Sequence, residues 1–272
     1  MNTFQAAVLG LVQGLTEFIP ISSTAHLRIV PALLGWADPG TAFSAVIQLG
    51  TLLAVLVYFA ADLWALLRAG LRSLWSAEAR RDPTARMAWA IVLGNLPIVL
   101  LGLTFRDFIE TQARGLELIA AMLMLVAVAL WLAERAARQT RMADTLGWRR
   151  ILGIGVFQAL ALIPGTSRSG ATILGGLLYG LRREEAARFS FLLGVPAILG
   201  SGLLQLPPVL SGAHATGVMP LLVGLAVSAV SGYAAIGFLL RYLRTRTTLV
   251  FVLYRLGLGA LVLWLALQGV VE

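Results

Sequence analysis

Long apolar stretches dominate the chain, and six of them reach the roughly 20 residues that a helix needs to cross a bilayer. They lie at about 41–61, 87–105, 115–133, 187–206, 219–240 and 248–270. Two further stretches, 4–35 and 150–181, are apolar overall but are interrupted by polar residues, glycine and a central proline, Pro20 or Pro164. Freed backbone groups are tolerated at membrane depth only inside protein or beside water. The pattern therefore predicts six transmembrane helices and two re-entrant or broken helical hairpins.

The composition agrees with a membrane protein. Of 272 residues, 59% are hydrophobic and 12% are charged, and the mean hydropathy is +0.87, which is far from the balance of soluble domains. We expect one membrane domain, 1–272, without a soluble catalytic domain. The N-terminus lacks the basic region of a cleaved signal, so we expect it to be retained. The absence of cysteine excludes disulfides, thiolate catalysis and zinc–sulfur sites.

All 21 basic residues are arginines, and most of them fall in four short segments. The segments are 68–86, 135–150, 182–188 and 241–246. Short arginine-rich loops are typical of the cytoplasmic side of a membrane. A nucleic-acid surface would need an extended basic face with interleaved aromatic residues, which the sequence lacks. The net charge of +8 therefore indicates membrane topology, and no nucleic-acid partner is expected.

The two interrupted stretches resemble each other in sequence. Each has a glutamine, Gln13 or Gln158, followed by an Ile-Pro pair and a cluster of serines. A Phe-Ser pair, beginning at Phe43 or Phe189, then opens the next long apolar stretch. The agreement in order and spacing predicts two repeats, about 1–134 and 150–272. A basic linker, about 135–149, joins them.

The arginine distribution gives the two repeats opposite orientations. The basic segment 62–86 places the Phe43 end of the first span outside, whereas the Phe189 end of its counterpart follows three arginines, Arg182, Arg183 and Arg188, and lies inside. Equivalent positions therefore face opposite sides, which is the inverted-repeat arrangement. The linkers 106–114 and 207–218 are expected on the external side. The predicted fold class is an all-α polytopic membrane protein with two inverted-topology repeats, each a re-entrant or broken helical hairpin plus three transmembrane helices.

The first hairpin carries a carboxylate in an apolar segment. Gln13 and Glu17 are four residues apart, on one helical face and shortly before the break at Pro20. A charge at membrane depth is costly, so Glu17 is expected to serve a function; the alternative is a carboxylate paired with an arginine for packing. His26 follows Ser23 by three residues, which suits a general acid or base but also a hydrogen-bonded polar residue without a catalytic role.

The second hairpin contains the segment Pro164-Gly-Thr-Ser-Arg-Ser-Gly-Ala-Thr172. Glycine and serine at a helix break expose backbone N–H groups, a helix N-terminus adds positive potential, and Arg168 offers a rigid fork of donors. This combination suits a phosphate or a diphosphate. Packing of small residues between helices is the alternative, but it explains the glycines and not Arg168. Near the C-terminus, Arg255 either reaches the inner interface or neutralises Glu17.

At these two hairpins the chain resembles the bacterial undecaprenyl-diphosphate phosphatase family, membrane enzymes also known for bacitracin resistance. The resemblance rests on three motifs: Gln13-x-x-x-Glu17, Pro20-Ile-Ser22-Ser23-Thr24-Ala-His26 and Pro164-Gly-Thr-Ser167-Arg168-Ser169-Gly170-Ala-Thr172. It implies hydrolysis of undecaprenyl diphosphate to undecaprenyl phosphate and inorganic phosphate, which recycles the lipid carrier for peptidoglycan synthesis. It further implies a divalent cation, usually Mg²⁺, and a multi-pass protein of the bacterial inner membrane whose site faces the periplasm.

Transferred by position, the resemblance assigns catalytic roles to Glu17, Ser23, His26 and Arg168, with Glu17 also as a metal ligand. The residues expected to bind substrate are Gln13, Ser22, Thr24, Gly165, Ser167, Ser169 and Thr172. Gln13 stands where many members have a glutamate, which weakens any scheme with two chelating carboxylates. The nucleophile stays open between Ser23, with His26 as its acid–base partner, and a water molecule activated by Glu17 or His26.

Broken helices in inverted repeats are also the architecture of secondary transporters, so a lipid-phosphate flippase is the alternative function. The expected partners are a polyprenyl diphosphate lipid and the bilayer, and the sequence leaves a homodimer open. Phosphate release from polyprenyl diphosphate distinguishes the two functions, because a flippase releases none.

Overall fold

The computed structural model describes residues 1–105, 115–210 and 217–269, and within these ranges the chain is helical without β-strands. The α-helices in chain order are α1 Thr3–Phe18, α2 Ser23–Leu34, α3 Gly40–Tyr58, α4 Ala60–Trp75, α5 Pro83–Thr104, α6 Leu116–Ala136, α7 Trp148–Ala159, α8 Arg168–Leu178, α9 Arg183–Leu210, α10 Val218–Leu243 and α11 Leu249–Leu267. Short 3₁₀ turns lie at Ala79–Arg81, Ala143–Thr145 and Leu160–Leu162.

Six of the described helices are long and apolar enough to cross a membrane: α3, α5, α6, α9, α10 and α11. Each coincides with one of the stretches that the hydrophobic pattern predicts, with ends that differ by a few residues. Many of their apolar side chains are exposed, such as Leu100 at 65% and Val230 at 75%. An exposed apolar surface of this extent is suited to lipid rather than water. The prediction of an all-α membrane protein with six spans is confirmed.

The two interrupted stretches each fold into a pair of shorter helices, α1 with α2 and α7 with α8. The chain breaks where Pro20 or Pro164 removes a backbone donor, and the next helix begins after a serine N-cap, Ser22 or Ser167. Both serines have a positive φ, 77° and 71°, a conformation that is unfavourable for a residue with a side chain. Each hydroxyl accepts a hydrogen bond from the backbone three residues later, which stabilises the new helix. The prediction of two broken hairpins is confirmed.

The segment 62–86 is mostly helical, because it contains α4 and the first turn of α5. α4 exposes Trp64 and Leu67 and also carries Arg68 and Arg72, a composition typical of helices that lie at a membrane surface. The prediction of a loop was wrong for these residues. Because a helix of this kind contains no long apolar stretch, the hydrophobic pattern does not predict it.

The helices of the two halves exchange partners. α1 packs against α10 and its counterpart α7 packs against α5, while α3 contacts α9 and α6 contacts α11. Glycines permit the two close crossings: Gly10 faces Gly224 and Gly155 faces Gly94, with no room for a Cβ on Gly10 or Gly155. Small residues let helix backbones approach closely within a membrane. The exchange brings the two hairpins together, and the division into two inverted repeats stays a prediction.

The opposite membrane orientation of the two repeats stays a prediction from the arginine distribution. The linkers expected on the external side lie partly outside the described residues, which lack all of 106–114 and residues 211–216 of the second linker.

Candidate active site

The site is centred on the carboxylate of Glu17, at the end of α1 where the first hairpin breaks. Gln13 Nε2 donates to Glu17 Oε2 over 2.9 Å, and Ser23 Oγ donates to the same oxygen over 2.6 Å. Arg168 Nη2 donates to Oε1 over 3.0 Å. Glu17 is only 5% exposed, so these partners replace the hydrogen bonds that water would make. Four residues that the sequence predicts for the site therefore meet at one carboxylate.

Arg168 is the first residue of α8 and reaches from the second hairpin to the first. Its other terminal nitrogen, Nη1, lies 3.4 Å from the carbonyl oxygen of Ser190 in α9. The guanidinium lies against Gly194, where a Cβ would overlap it, so the missing side chain at this position makes room for Arg168. Glu17 is therefore paired with an arginine, as the alternative of a packing role for Glu17 requires. The same ion pair, however, links the two hairpin motifs to each other, which a functional site also requires.

The Ser169 hydroxyl joins the second hairpin to the first, whereas the Thr172 hydroxyl bonds within the second hairpin and to α9. Ser169 Oγ donates to the backbone carbonyl of Glu17 over 3.0 Å. Thr172 Oγ1 donates to the backbone carbonyl of Arg168 over 2.8 Å and also contacts the Ser190 hydroxyl. Ser169 and Thr172 are fully buried. The structure therefore places both in packing contacts around Arg168, and their role in phosphate binding stays a prediction.

The N-termini of α2 and α8 converge on Glu17. α2 begins at Ser23 and α8 begins at Arg168, and both side chains bond to the Glu17 carboxylate. The N-terminus of a helix carries about half a positive charge, and its first N–H groups have no partner within the helix. Two such termini together with one arginine are groups of the kind that bind phosphate in proteins.

The remaining predicted ligands shape the two breaks. Ser22 and Ser167 are the N-caps, and the Ser22 hydroxyl lies 3.2 Å from that of Thr24. Gly165 has a φ of +91°, which favours glycine, and a Cβ there would clash with the carbonyl oxygen of Ile119 in α6. This close approach explains the glycine without a phosphate contact.

His26 makes its hydrogen bonds with Ser22 and Tyr254, and none of the bonds in the described part of the chain joins it to Ser23. His26 Nδ1 lies 2.7 Å from the carbonyl oxygen of Ser22, and Nε2 lies 2.6 Å from the Tyr254 hydroxyl. A carbonyl only accepts, so Nδ1 carries a proton, and in the neutral ring Nε2 accepts from Tyr254. The immediate acceptor for the Ser23 proton is therefore Glu17, not the histidine that the sequence suggested as its partner.

Arg255 is fully buried and binds backbone carbonyls, so it neither reaches the interface nor neutralises Glu17. Both alternatives that the sequence offered for it were wrong. Its guanidinium donates over 3.0–3.3 Å to the carbonyl oxygens of Pro20, Met122, Leu123, Gly165 and Thr166. Pro20 belongs to the first break, Gly165 and Thr166 belong to the second break, and the other two residues belong to α6. Arg255 is thus a positioning residue that ties both hairpin tips to α6.

The sequence does not identify the contributions of Ser190, Gly194 and Tyr254. Ser190 lies 22 residues from its partner Arg168, and Tyr254 lies 228 residues from its partner His26. Only the tertiary structure brings these groups together. The Phe-Ser pair that ends at Ser190 is one available signal, since the first repeat contains the same pair, and the Tyr254-Arg255 pair, which also resembles the family, is another.

The surroundings of Glu17 fit a divalent cation that is held mainly by the substrate. Within the described ranges, no three histidine, aspartate or glutamate side chains form a cluster that could hold a metal. Gln13 Oε1, however, is a buried oxygen without a hydrogen-bond partner, in the same amide whose nitrogen donates to Glu17. Mg²⁺ in phosphoryl-transfer sites is typically bound by one or two carboxylates together with substrate phosphates. One carboxylate and one unpaired amide oxygen meet this requirement.

Comparisons with known proteins agree with this geometry. The sequence model of the bacitracin resistance protein BacA family matches residues 6–261. The undecaprenyl-diphosphatase of Myxococcus xanthus is 52% identical, covering 99% of this chain and 91% of its own. The proteins of the same name from a Nocardioides species and from Chlorobium chlorochromatii are 50% and 47% identical, and each covers 100% of this chain. The matches include both hairpins and all six spans, and the chain therefore belongs to the bacitracin resistance protein BacA family.

Proposed function

We infer that the protein is a membrane phosphatase that hydrolyses undecaprenyl diphosphate to undecaprenyl phosphate and inorganic phosphate. It thereby recycles the lipid carrier for peptidoglycan synthesis and confers resistance to bacitracin. The observation that carries this function is the Ser23 hydroxyl donating to Glu17 over 2.6 Å while Arg168 binds the other carboxylate oxygen. A nucleophile, a proton acceptor and an anion ligand are thus assembled at one point. Relatives with about 50% identity carry the name of this activity.

Arg168 and the N-termini of α2 and α8 attract the diphosphate. A guanidinium holds two phosphate oxygens at once, and the helix termini offer unpaired N–H groups. Because Arg168 is paired with Glu17 in the structure, an incoming phosphate competes with that carboxylate. In the proposed exchange, Arg168 moves from Glu17 to the terminal phosphate, and Glu17 becomes free to take a proton from Ser23. The polyprenyl chain stays in the acyl region along the apolar spans.

Ser23 is the proposed nucleophile. Its oxygen attacks the terminal phosphorus, its proton passes to Glu17, and the bond from phosphorus to the bridging oxygen breaks. Glu17 gives this proton to the departing undecaprenyl phosphate, while Arg168 and the helix N–H groups stabilise the charge on the transferred group. A water molecule then attacks the phosphoserine and gives a proton to Glu17, which returns it to the Ser23 oxygen. Inorganic phosphate leaves, and the site is restored.

Direct attack by water, with Glu17 as the base, is the alternative, and Ser23→Ala distinguishes the two routes. If Ser23 attacks, phosphate release from polyprenyl diphosphate falls nearly to background. If the hydroxyl only binds, the loss is on the order of 10-fold to 100-fold, which corresponds to one hydrogen bond to a charged group. Ser201→Ala, at a remote serine of α9, is the matched control and should leave the rate unchanged.

Trapping the intermediate gives a second test. Acid quenching during turnover, followed by mass spectrometry of peptides containing Ser23, should show a phosphoserine. No phosphoserine, together with a merely partial loss in Ser23→Ala, would overturn the role of Ser23 as nucleophile but not the reaction. Failure of the unaltered protein to release any phosphate would overturn the phosphatase function and favour the flippase.

Mg²⁺ or another divalent cation is proposed to bind together with the diphosphate, held by the Glu17 carboxylate and the Gln13 amide oxygen. When bound, such a cation supplies positive charge that offsets the negative charge of the phosphates. The unpaired Gln13 Oε1 supports this assignment.

The site is proposed to open toward the periplasm from the bacterial inner membrane. The arginine-rich segments support this orientation, because they favour the cytoplasm. The chain has no cysteine, so single cysteines can be introduced and labelled from either side. Those in 62–86 and 135–150 should label from the cytoplasm and those in 207–218 from the periplasm. Labelling of all three segments from one side would contradict the inverted-repeat topology.

A further inference from the structure

A groove of about 640 Å³ lies between the end of α3 and the last turns of α10. One wall is Tyr58, the last residue of α3. A strip of α10 that includes Tyr233, Gly237 and Arg241 forms the other wall, and Arg246 in the following loop closes one end. None of the groove residues belongs to the site around Glu17. The groove opens at the ends of the spans where the arginines predict the cytoplasmic side.

Two arginines in this groove lack an acidic partner. Arg241 and Arg246 take part in no ion pair within residues 1–105, 115–210 and 217–269. The acidic residues at the adjoining helix ends are already paired, Glu184 with Arg244 over 2.8 Å and Asp62 with Arg188 over 2.6 Å. Membrane topology alone accounts for arginines in exposed loops. Arg241 and Arg246 are exposed in the same way, but both line one groove, so their charges can act on a single bound group.

Aromatic side chains with polar ends line the same groove. The Tyr58 and Tyr233 rings lie 5.2 Å apart, and Tyr242 lies further along α10. None of these three hydroxyls makes a hydrogen bond with the described part of the chain. Tyrosine is favoured at the headgroup level of a bilayer, where its ring is in an apolar region and its hydroxyl meets polar groups. Gly237 keeps the floor of the groove open, and Phe238 beside it is 52% exposed.

We propose that this groove binds the headgroup of an anionic phospholipid from the surrounding membrane. Arg241 and Arg246 bind the phosphodiester, and the tyrosine hydroxyls donate to its oxygens and to the glycerol. The acyl chains lie along the exposed apolar surface of α10 at Phe238. Basic pockets between transmembrane helices on the cytoplasmic side are suited to anionic headgroups. A free phosphate would leave the apolar wall unused, so a lipid fits the groove better.

Native mass spectrometry of delipidated protein with added dioleoyl phosphatidylglycerol tests the proposal. The double variant Arg241→Gln/Arg246→Gln should bind this lipid roughly 30-fold more weakly, the equivalent of about 1 kcal/mol for each arginine. The matched control is Arg81→Gln/Arg86→Gln, which removes the same charge from exposed positions outside the groove. Its affinity for the lipid should be unchanged.

A second variant blocks the groove without changing its charge. A Cβ at Gly237 would lie 3.6 Å from the Tyr58 ring, an ordinary contact distance, so the backbone need not move, while the rest of a leucine side chain fills the floor. Gly237→Leu should therefore weaken lipid binding about as much as the double variant. Size-exclusion chromatography and thermal unfolding in detergent check that each variant is folded. Ala234→Leu, on the same strip of α10, replaces Gly237→Leu if the latter does not fold.

The proposal is supported if both groove variants lose phosphatidylglycerol and the matched control keeps it. Equal weakening in the two double variants would overturn it, because the effect would then follow total charge. Undiminished binding in the folded leucine variant would also overturn it, as would phosphatidylcholine binding as tightly as phosphatidylglycerol. Displacement of the lipid by millimolar inorganic phosphate would reassign the groove to a free anion, and tighter binding of undecaprenyl phosphate would reassign it to the reaction product.

Discussion

Replacing Arg168 with lysine keeps the positive charge but removes the planar pair of donors. In the structure, Nη2 donates to Glu17 over 3.0 Å and Nη1 lies 3.4 Å from the carbonyl oxygen of Ser190. One ammonium retains only one of these directions, so the bound phosphate would lose about one charge-assisted hydrogen bond. Such a bond is worth about 1.5–3 kcal/mol. The value of kcat/KM should therefore fall between roughly 10-fold and roughly 150-fold.

The assay is the release of inorganic phosphate from polyprenyl diphosphate by the purified protein in detergent, at several substrate concentrations. Arg244→Lys is the matched control, because Arg244 forms an exposed ion pair with Glu184 and exposed pairs contribute little. A folded Arg168→Lys protein with near-normal kcat/KM would refute the role of the guanidinium as a diphosphate clamp.

Gly194→Ala displaces the Arg168 side chain without changing its chemical groups. A Cβ at Gly194 would overlap the Arg168 guanidinium, whereas a Cβ at Gly200, also in α9, meets nothing within 4 Å. Gly194→Ala should therefore reduce kcat/KM about as much as Arg168→Lys, and Gly200→Ala should not. Equal and undiminished activity of the two alanine variants would show that the position of the guanidinium does not matter for the reaction.

Three further changes test other contacts. Tyr254→Phe removes the hydroxyl 2.6 Å from His26 Nε2. Because His26 also bonds to the carbonyl of Ser22, next to Ser23, kcat/KM should fall about 2-fold to 10-fold, and the change should add no further loss in a His26→Ala background. Gln13→Glu adds a second carboxylate one turn from Glu17, so the Mg²⁺ concentration for half-maximal phosphate release should fall about tenfold; an unchanged requirement would argue against a cation at this turn. Arg255→Met leaves the hairpin carbonyls without their donor, so the free energy of unfolding in detergent should fall by about 3 kcal/mol, at about 1 kcal/mol for each of three carbonyls. Unchanged stability would contradict its positioning role.

The sequence by itself determined the architecture of this protein. Lipid offers no hydrogen bonds to the backbone, so an apolar stretch of sufficient length must be a helix. The two interruptions combine a proline with a cluster of small polar residues, which indicated breaks, whereas Pro97 alone leaves α5 continuous. The same physics identified Glu17 and Arg168, because a charge in an apolar hairpin is costly unless it serves a purpose. α4 was missed because a helix at the membrane surface needs no long apolar run.

The choice of partners was decided only by the tertiary structure. Glu17 meets Arg168 across 151 residues, and Ser23 bonds to Glu17 whereas His26 turns to Tyr254. Arg255 was expected to reach water or a carboxylate, but it binds three carbonyl oxygens at the two breaks and two in α6. A sequence pattern indicates the free energy of placing each segment in lipid, and that free energy depends mainly on the residues of the segment itself. A hydrogen bond depends on positions within a few tenths of an ångström, and those positions are set by the packing of helices far apart in the chain.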